Sequence, residues 1–352
     1  MPSRRISLVL IAVGLATLVG CGSPSTHTAY VTLPNANAVA AYRITNSSAK
    51  FTTIVGSPYP AGNSPSSVVV HPSNRLVYVS NRIDNNISLF TVDSAIGSLK
   101  EVLPRTAAGL TPSSLVMDAA GKFLFALNRV SSSVSVYSIN SASGALTAVA
   151  GSPFATAPNP VALAIAPSGK FLYVLNANLS AVFAYTIASG VLQPVAGLPA
   201  QVGNGALAIT VDPAETFVYV ANFTDSTVSV LSINSSTGAL TLLGTYATGT
   251  QPIAVAVLGQ YLYVGNQGSS NISVFTVAAT TGVLTQITNS PFSAGTAVLF
   301  EVIDPNGMFL YTGSQTASSI SALSIDHTTG ALTATSESAS TGGAPSSMSV
   351  SK

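Results

Sequence analysis

Phe171-Leu172-Tyr173-Val174-Leu175-Asn176 is an unbroken apolar run closed by an amide. A strand buried on both faces reads this way. The same signature recurs at Tyr78-Val79-Ser80-Asn81, Phe125-Ala126-Leu127-Asn128, Tyr219-Val220-Ala221-Asn222 and Tyr263-Val264-Gly265-Asn266, with weaker copies beginning at Tyr30 and Tyr311. The seven aromatic positions are separated by 48, 47, 48, 46, 44 and 48 residues. A period near 47 accommodates four short strands and their turns, which is one blade of a β-propeller.

The remaining strands of that period can be read on either side of the quoted run. Residues 161–166 form a short apolar stretch ended by Pro167-Ser168-Gly169. After the run, 181–187 carries Phe183 and Tyr185 at alternate positions, Ser189-Gly190 turns the chain, and 192–196 closes the unit. Named A to D in order, these strands are separated by turn residues at the spacing of an all-β protein. No stretch sustains a 3.6-residue period, so helix content should be close to nil.

Closure follows from counting. There are seven B-type and seven A-type strands, but the first blade has no A strand before it, and the seventh A strand stands alone after residues 342–345. The set closes only if residues 348–350 supply the inner strand of the first blade. The expected fold is therefore an all-β, seven-bladed propeller of four-stranded antiparallel blades, with a C-terminal velcro strand that removes the open edges of a linear array. A β-solenoid is the alternative, and it would need capping repeats.

Composition narrows the function. Charged residues are 7% and the formal net charge is +1, which gives no electrostatic basis for nucleic-acid binding. The hydrophobic fraction of 47% is too high for a disordered chain. A single Cys excludes an intramolecular disulfide, and three scattered His offer no zinc-site spacing. No metal and no cofactor is expected.

Residues 1–20 read as an export signal, with Arg4 and Arg5 followed by an uncharged apolar stretch over 6–19, short for a membrane span. It ends in Leu18-Val19-Gly20-Cys21, which resembles the bacterial lipoprotein box. The resemblance implies cleavage before Cys21, lipidation there, and a flexible tether over 21–28 leading into a propeller over 29–352. It implies a lipid-anchored protein of the bacterial cell envelope, with the outer membrane or surface favoured because Gly22 is not Asp. Without Arg4 and Arg5 the chain carries ten basic and eleven acidic side chains. The globular part should then have little attraction for anionic lipid, leaving attachment to the acyl chains.

The Tyr-Val-x-Asn runs, together with Gly56-Ser57-Pro58-Tyr59, Gly151-Ser152-Pro153-Phe154 and Ser290-Pro291-Phe292, resemble the YVTN-type, lactonase-like seven-bladed propeller family over about residues 29 to 352. That resemblance implies lactone chemistry of the 6-phosphogluconolactonase kind at the channel mouth. Enzyme members tend to carry a Pro-Arg-His segment in the D–A loops and Asn-Glu after strand B. Here the loops read Pro65-Ser66-Ser67, Pro112-Ser113-Ser114, Pro160-Val161-Ala162, Asn204-Gly205-Ala206, Pro252-Ile253-Ala254 and Pro345-Ser346-Ser347, and the Asn-Glu position reads Asn81-Arg82 and Asn128-Arg129 in two blades.

The charged candidates on the rim formed by the B–C and D–A loops are Arg82, Asp84, Arg129 and Asp225. Arg82 and Arg129 occupy equivalent places in adjacent blades, so they converge on one anion, or each stands as a solvated loop charge, or Arg82 pairs with Asp84 at the surface. Glu301 falls where other A strands have Val68, Leu115, Leu163 and Ile209. A carboxylate there is either a desolvated general base or cation ligand, or a group wetted by the channel. His71, Asp118, Asp212 and Asp304 end their A strands on the opposite rim and read as turn residues. His27 reads as part of the tether, and His327 lies in a C–D turn. With so few rim charges, the expected function is a monomeric binding or interaction module for an envelope protein or glycan, with a lactone hydrolase using Glu301 and the arginines as the alternative.

Overall fold

A computed structural model describes residues 25–352 apart from Leu198 and Thr296. The signal, Cys21 and its lipidation lie outside the described residues. The chain forms seven antiparallel sheets arranged as a propeller. In blade 2 the strands run Pro65–Val70, Leu76–Asn81, Asn86–Val92 and Leu99–Ala107 from the channel outward. Helix is limited to a single 3-10 turn, Pro34–Ala36, among the described residues.

The ring closes as expected. Ser347–Val350 pairs with Thr26–Leu33 through Ala29↔Val350, Tyr30↔Ser349, Val31↔Met348 and Thr32↔Ser347. One boundary differs from the expectation. The first strand starts at Thr26 rather than 29, because Thr26, His27 and Thr28 pair with Thr45, Ile44 and Arg43, and the His27 ring meets Asn306 Nδ2 at 3.0 Å. His27 thus belongs to blade 1 and not to a tether.

The core is divided among seven apolar clusters, each filling the seam between two neighbouring blades. Every B strand is buried because its two faces contribute to different seams. In blade 4, for example, Tyr173 and Leu175 face blade 5, whereas Leu172 and Val174 face blade 3. The blades are also tied by hydrogen bonds across the seams. The Tyr30, Tyr78 and Tyr263 hydroxyls donate to the carbonyls of Gly97, Gly144 and Gly330 in the C–D turn of the next blade. The Tyr173 hydroxyl is equally buried but has no partner among the described residues. Tyr78→Phe should therefore cost about 1 kcal/mol, while Tyr173→Phe should be neutral or stabilising. Denaturant midpoints measure both, and equal losses would refute the distinction.

The Gly-Ser-Pro-aromatic segments have a structural role. In blades 1, 3, 4 and 6 the outer strand breaks in two, as at Phe51–Thr53 and Tyr59–Pro60, and in blades 1, 3 and 6 the break carries one of these segments. The Ser of each segment supplies the missing acceptor: Ser57, Ser152 and Ser290 Oγ accept from the backbone N–H groups of Ala41, Val136 and Val274 at 2.8–2.9 Å. On the rim carrying the A–B turns, the carboxylates of Asp118, Asp212 and Asp304 accept turn N–H groups, as expected. His71 takes the same place, with its ring between Ser73 Oγ and the Gly121 carbonyl of the next blade.

Candidate active site at the channel mouth

Strands A and C run one way and B and D the other, so the B–C and D–A loops share one rim. This rim is the mouth. In blades 2 to 6 the chain enters the inner strand through a one-residue bulge, at Ser66, Ser113, Val161, Leu207 and Ile253. Bulges re-aim a side chain without ending the sheet, and they are frequent beside active sites. Leu299 and Ser346 hold the corresponding places in blades 7 and 1. All seven side chains are half-buried.

The mouth therefore has two unlike arcs. Blades 1 to 3 present Ser346, Ser66 and Ser113, whereas blades 4 to 7 present Val161, Leu207, Ile253 and Leu299. The hydroxyls are stitched from blade to blade. Ser346 Oγ donates to the Pro65 carbonyl at 3.2 Å, and Ser66 Oγ donates to the Pro112 carbonyl at 2.9 Å. Arg82 and Arg129 stand exposed on the same arc. Their backbone N–H groups bond equivalent carbonyls, Ser64 and Thr111, so the fold places both alike in adjacent blades.

The mouth loops are held by buried Asn side chains. Asn81 and Asn128 Oδ1 accept from the N–H groups of Gly62 and Gly109, and their Nδ2 groups donate to Ser88 and Ser135. The approach demands glycine, because a Cβ on Gly62 would lie 2.6 Å from Asn81 Nδ2. Asp84 and Asp225 serve the same architecture. Asp84 accepts from Asn63 N and Nδ2, and Asp225 from Asn204 N. Those Asn63 contacts, with Arg105 at 3.5 Å, hold the Asp84 carboxyl below its ordinary range. The Arg82–Asp84 pair, one of the alternatives read from the sequence, does not form: Asp84 is taken by Asn63 and Arg105, and Arg82 reaches only Ser64 Oγ, at 3.4 Å. Asp84 is thereby committed to the loop and not free for a ligand.

Glu301 sits in strand A of blade 7, opposite Thr312. Its register equivalents are Val68, Leu115, Leu163, Ile209, Val255 and Met348, each turned toward the preceding blade. Glu301 does the same and enters the seam between blades 6 and 7. Gly265 makes room for it, since a Cβ there would lie 2.6 Å from Glu301 Oε1. The residue keeps partial exposure along its backbone and stem, but both carboxylate oxygens are closed off and have no partner among the described residues. Desolvation pushes this carboxyl up to about 8. It is neither wetted by the channel nor joined by a hydrogen bond or ion pair to Arg82 or Arg129. The arginines share an arc, and Glu301 lies outside it. No cluster of three or more metal-ligating side chains occurs among the described residues.

Sequence reasoning does not single out the bulge serines. Their signal is nonetheless present, as the residue after the loop Pro is Ser in three consecutive blades and apolar at the other positions.

No curated protein matches the chain. Among solved structures, it is similar to a 6-phosphogluconolactonase candidate from Bacteroides fragilis, with a TM-score of 0.79 and 20% identity over 93% of this chain and 98% of that one. A periplasmic gluconolactonase from Pseudomonas aeruginosa gives a TM-score of 0.78 and 19% identity over 93% and 99%. At these identities the likeness shows the fold. The model of the lactonase family with a seven-bladed β-propeller matches residues 21–164 and 162–351. These matches overturn the expectation of a non-enzymatic interaction module and the leaning away from an enzyme. The error lay in equating few rim charges with no chemistry. The chain belongs to the seven-bladed β-propeller lactonase family.

Proposed function

We propose that the protein hydrolyses an uncharged lactone at the channel mouth. The observation that carries this reading is the family match along nearly the whole chain, joined to a mouth whose bulge hydroxyls and two arginines share one arc. In the reaction, water adds to the lactone carbonyl, the ring C–O bond breaks, and the departing ring oxygen takes up a proton. The product is a hydroxy acid, which ionises. Arg82 and Arg129 lie where a carboxylate formed on the hydroxyl arc would be attracted, and charge-assisted hydrogen bonds of that kind are the stronger ones. The Ser66, Ser113 and Ser346 hydroxyls can accept from substrate hydroxyls. Val161, Leu207, Ile253 and Leu299 face the apolar side of the ring.

An uncharged substrate is favoured over a phosphorylated one. A phosphate dianion needs several cationic donors, and residues 171–351 contain no Lys or Arg. Glu301 keeps its place as a candidate base only if its side chain turns out of the seam. General-base removal costs about a hundredfold or more.

Purified protein should open neutral aldonolactones and alkyl lactones faster than 6-phosphogluconolactone, followed by acid release at constant pH. Arg82→Gln/Arg129→Gln should lower kcat more than it raises KM, because the arginines meet charge that the neutral substrate does not yet carry, and Glu301→Gln reports on the base. Failure to open any lactone in such a panel would overturn the proposal, and a preference for the phosphorylated substrate would overturn its chemical class.

A further inference from the structure

The near-neutral net charge conceals a strong segregation. Apart from Arg4 and Arg5, every Lys and Arg lies between Arg43 and Lys170, or at Lys352. Residues 171–351 carry seven acidic side chains and no basic one. Because consecutive blades occupy consecutive sectors, this becomes a basic half-ring over blades 1 to 4 facing an acidic half-ring over blades 5 to 7.

The basic side chains also gather on one rim, the one bearing the A–B and C–D turns. Arg75, Lys122 and Lys170 lie in A–B turns, Lys50 in a C–D turn, Lys100 at the start of an outer strand, and Lys352 follows the velcro strand. All six are exposed, and none is in an ion pair among the described residues. The carboxylates on the same sectors of that rim, Asp93 and Asp118, are occupied by turn N–H groups. At the blade 5 boundary, Glu215 accepts from Ser168 N. Between blades 1 and 2 the rim opens into a cleft of about 250 Å³ whose lining includes Arg43, Arg75, Lys352, Ser73 and Asn74 together with Asp93, the one carboxylate side chain there, whose Oδ1 accepts from Ala95 N and Ile96 N.

The chain enters the propeller at this rim. Strand Thr26–Leu33 starts beside the C–D turn of its own blade, where Asn46 N donates to the Ser25 carbonyl. Cys21, where the lipoprotein-box resemblance places the acyl chains, therefore lies only a few residues of chain before the basic crescent.

We infer that the basic turn rim of blades 1 to 4 docks on an anionic phospholipid surface, with the Arg43/Arg75/Lys352 cleft receiving a headgroup phosphate. The mouth, on the opposite rim, then faces away from the bilayer and stays open to substrate. This departs from the expectation that the globular part has little attraction for anionic lipid. Net charge governs attraction at a distance, but a surface within a Debye length responds to the rim that faces it.

The test is co-sedimentation of the full chain with vesicles of phosphatidylcholine alone or mixed with phosphatidylglycerol, read as the ratio of the two partition coefficients. Each basic side chain near an anionic surface is worth about a fivefold partition. Arg75→Gln/Lys122→Gln/Lys170→Gln should therefore lower that ratio about a hundredfold. High salt should lower it in the wild type, and Arg82→Gln/Arg129→Gln on the mouth rim should leave it unchanged. Equal partition into the two vesicle types, or an unchanged ratio in the triple variant, would overturn the inference. So would salt-sensitive self-association, basic half against acidic half, without preference for anionic vesicles.

Discussion

Deleting residues 345–352 should abolish the stable monomer. The segment contributes the whole inner strand of blade 1, whose four residue pairs hold Thr26–Leu33 on its channel side. Without it, that strand presents an open edge of unpaired N–H and C=O groups, a template for pairing with another chain. Met348 is also lost from the seam between blades 7 and 1, where it packs with Ala29, Val31, Ile320 and Ala322. Burial of one such side chain is worth about 1.5–3 kcal/mol. The loss of ring closure comes on top, against a total stability of about 5–15 kcal/mol for a native protein. The expected product aggregates or forms strand-exchanged dimers, read by size-exclusion chromatography and thermal unfolding. Met348→Ala, a milder probe of the same contact, should cost about 2–5 kcal/mol while keeping the monomer. A truncated monomer with unchanged melting would refute this account of closure.

The second large effect concerns Glu301. Its carboxyl titrates at 4.5 when unfolded and at about 8 when folded, because burial without a partner penalises the anion. The folded state therefore binds the proton more tightly. Stability is full below about pH 4.5, declines as pH rises, and levels off above about 8. The loss is at most roughly 5 kcal/mol. The lowered carboxyls of Asp84 and Asp326 act below this window, and raised tyrosines such as Tyr30 and Tyr78 above it. Glu301→Gln should flatten the profile between about pH 5 and 9, and Glu301→Val, matching Val68 and Val255, should also make the protein more stable than wild type at alkaline pH. Denaturant unfolding across that range measures both. A flat wild-type profile would show that the carboxyl has found a partner or stays wetted.

Much of the architecture was legible because it repeats. A period near 47, seven aromatic anchors and an unmatched last strand specify blade number and closure on their own. The rim turns were legible for a similar reason, since Asp118, Asp212 and Asp304 act locally, on N–H groups a few residues away. Less could be said of the site. Asp84 looked like a free rim charge, yet it is bound to Asn63 and Arg105, both about twenty residues distant in sequence. Glu301 was identified as unusual, but whether its oxygens met water or the seam depended on Gly265, a residue of another blade.

The blades, their number and the way the ring is joined are written in the chain, because each blade is built from contacts within one period and the apolar pattern of a strand states which faces are buried. Where side chains from different periods meet is fixed by the folded ring. It turned Glu301 into a dry seam, separated it from the two arginines, set hydroxyls and aliphatic groups on opposite arcs of the mouth, and gathered scattered lysines on one rim. Such encounters are set by the ring geometry that brings distant periods together, and nothing in local sequence encodes that distance.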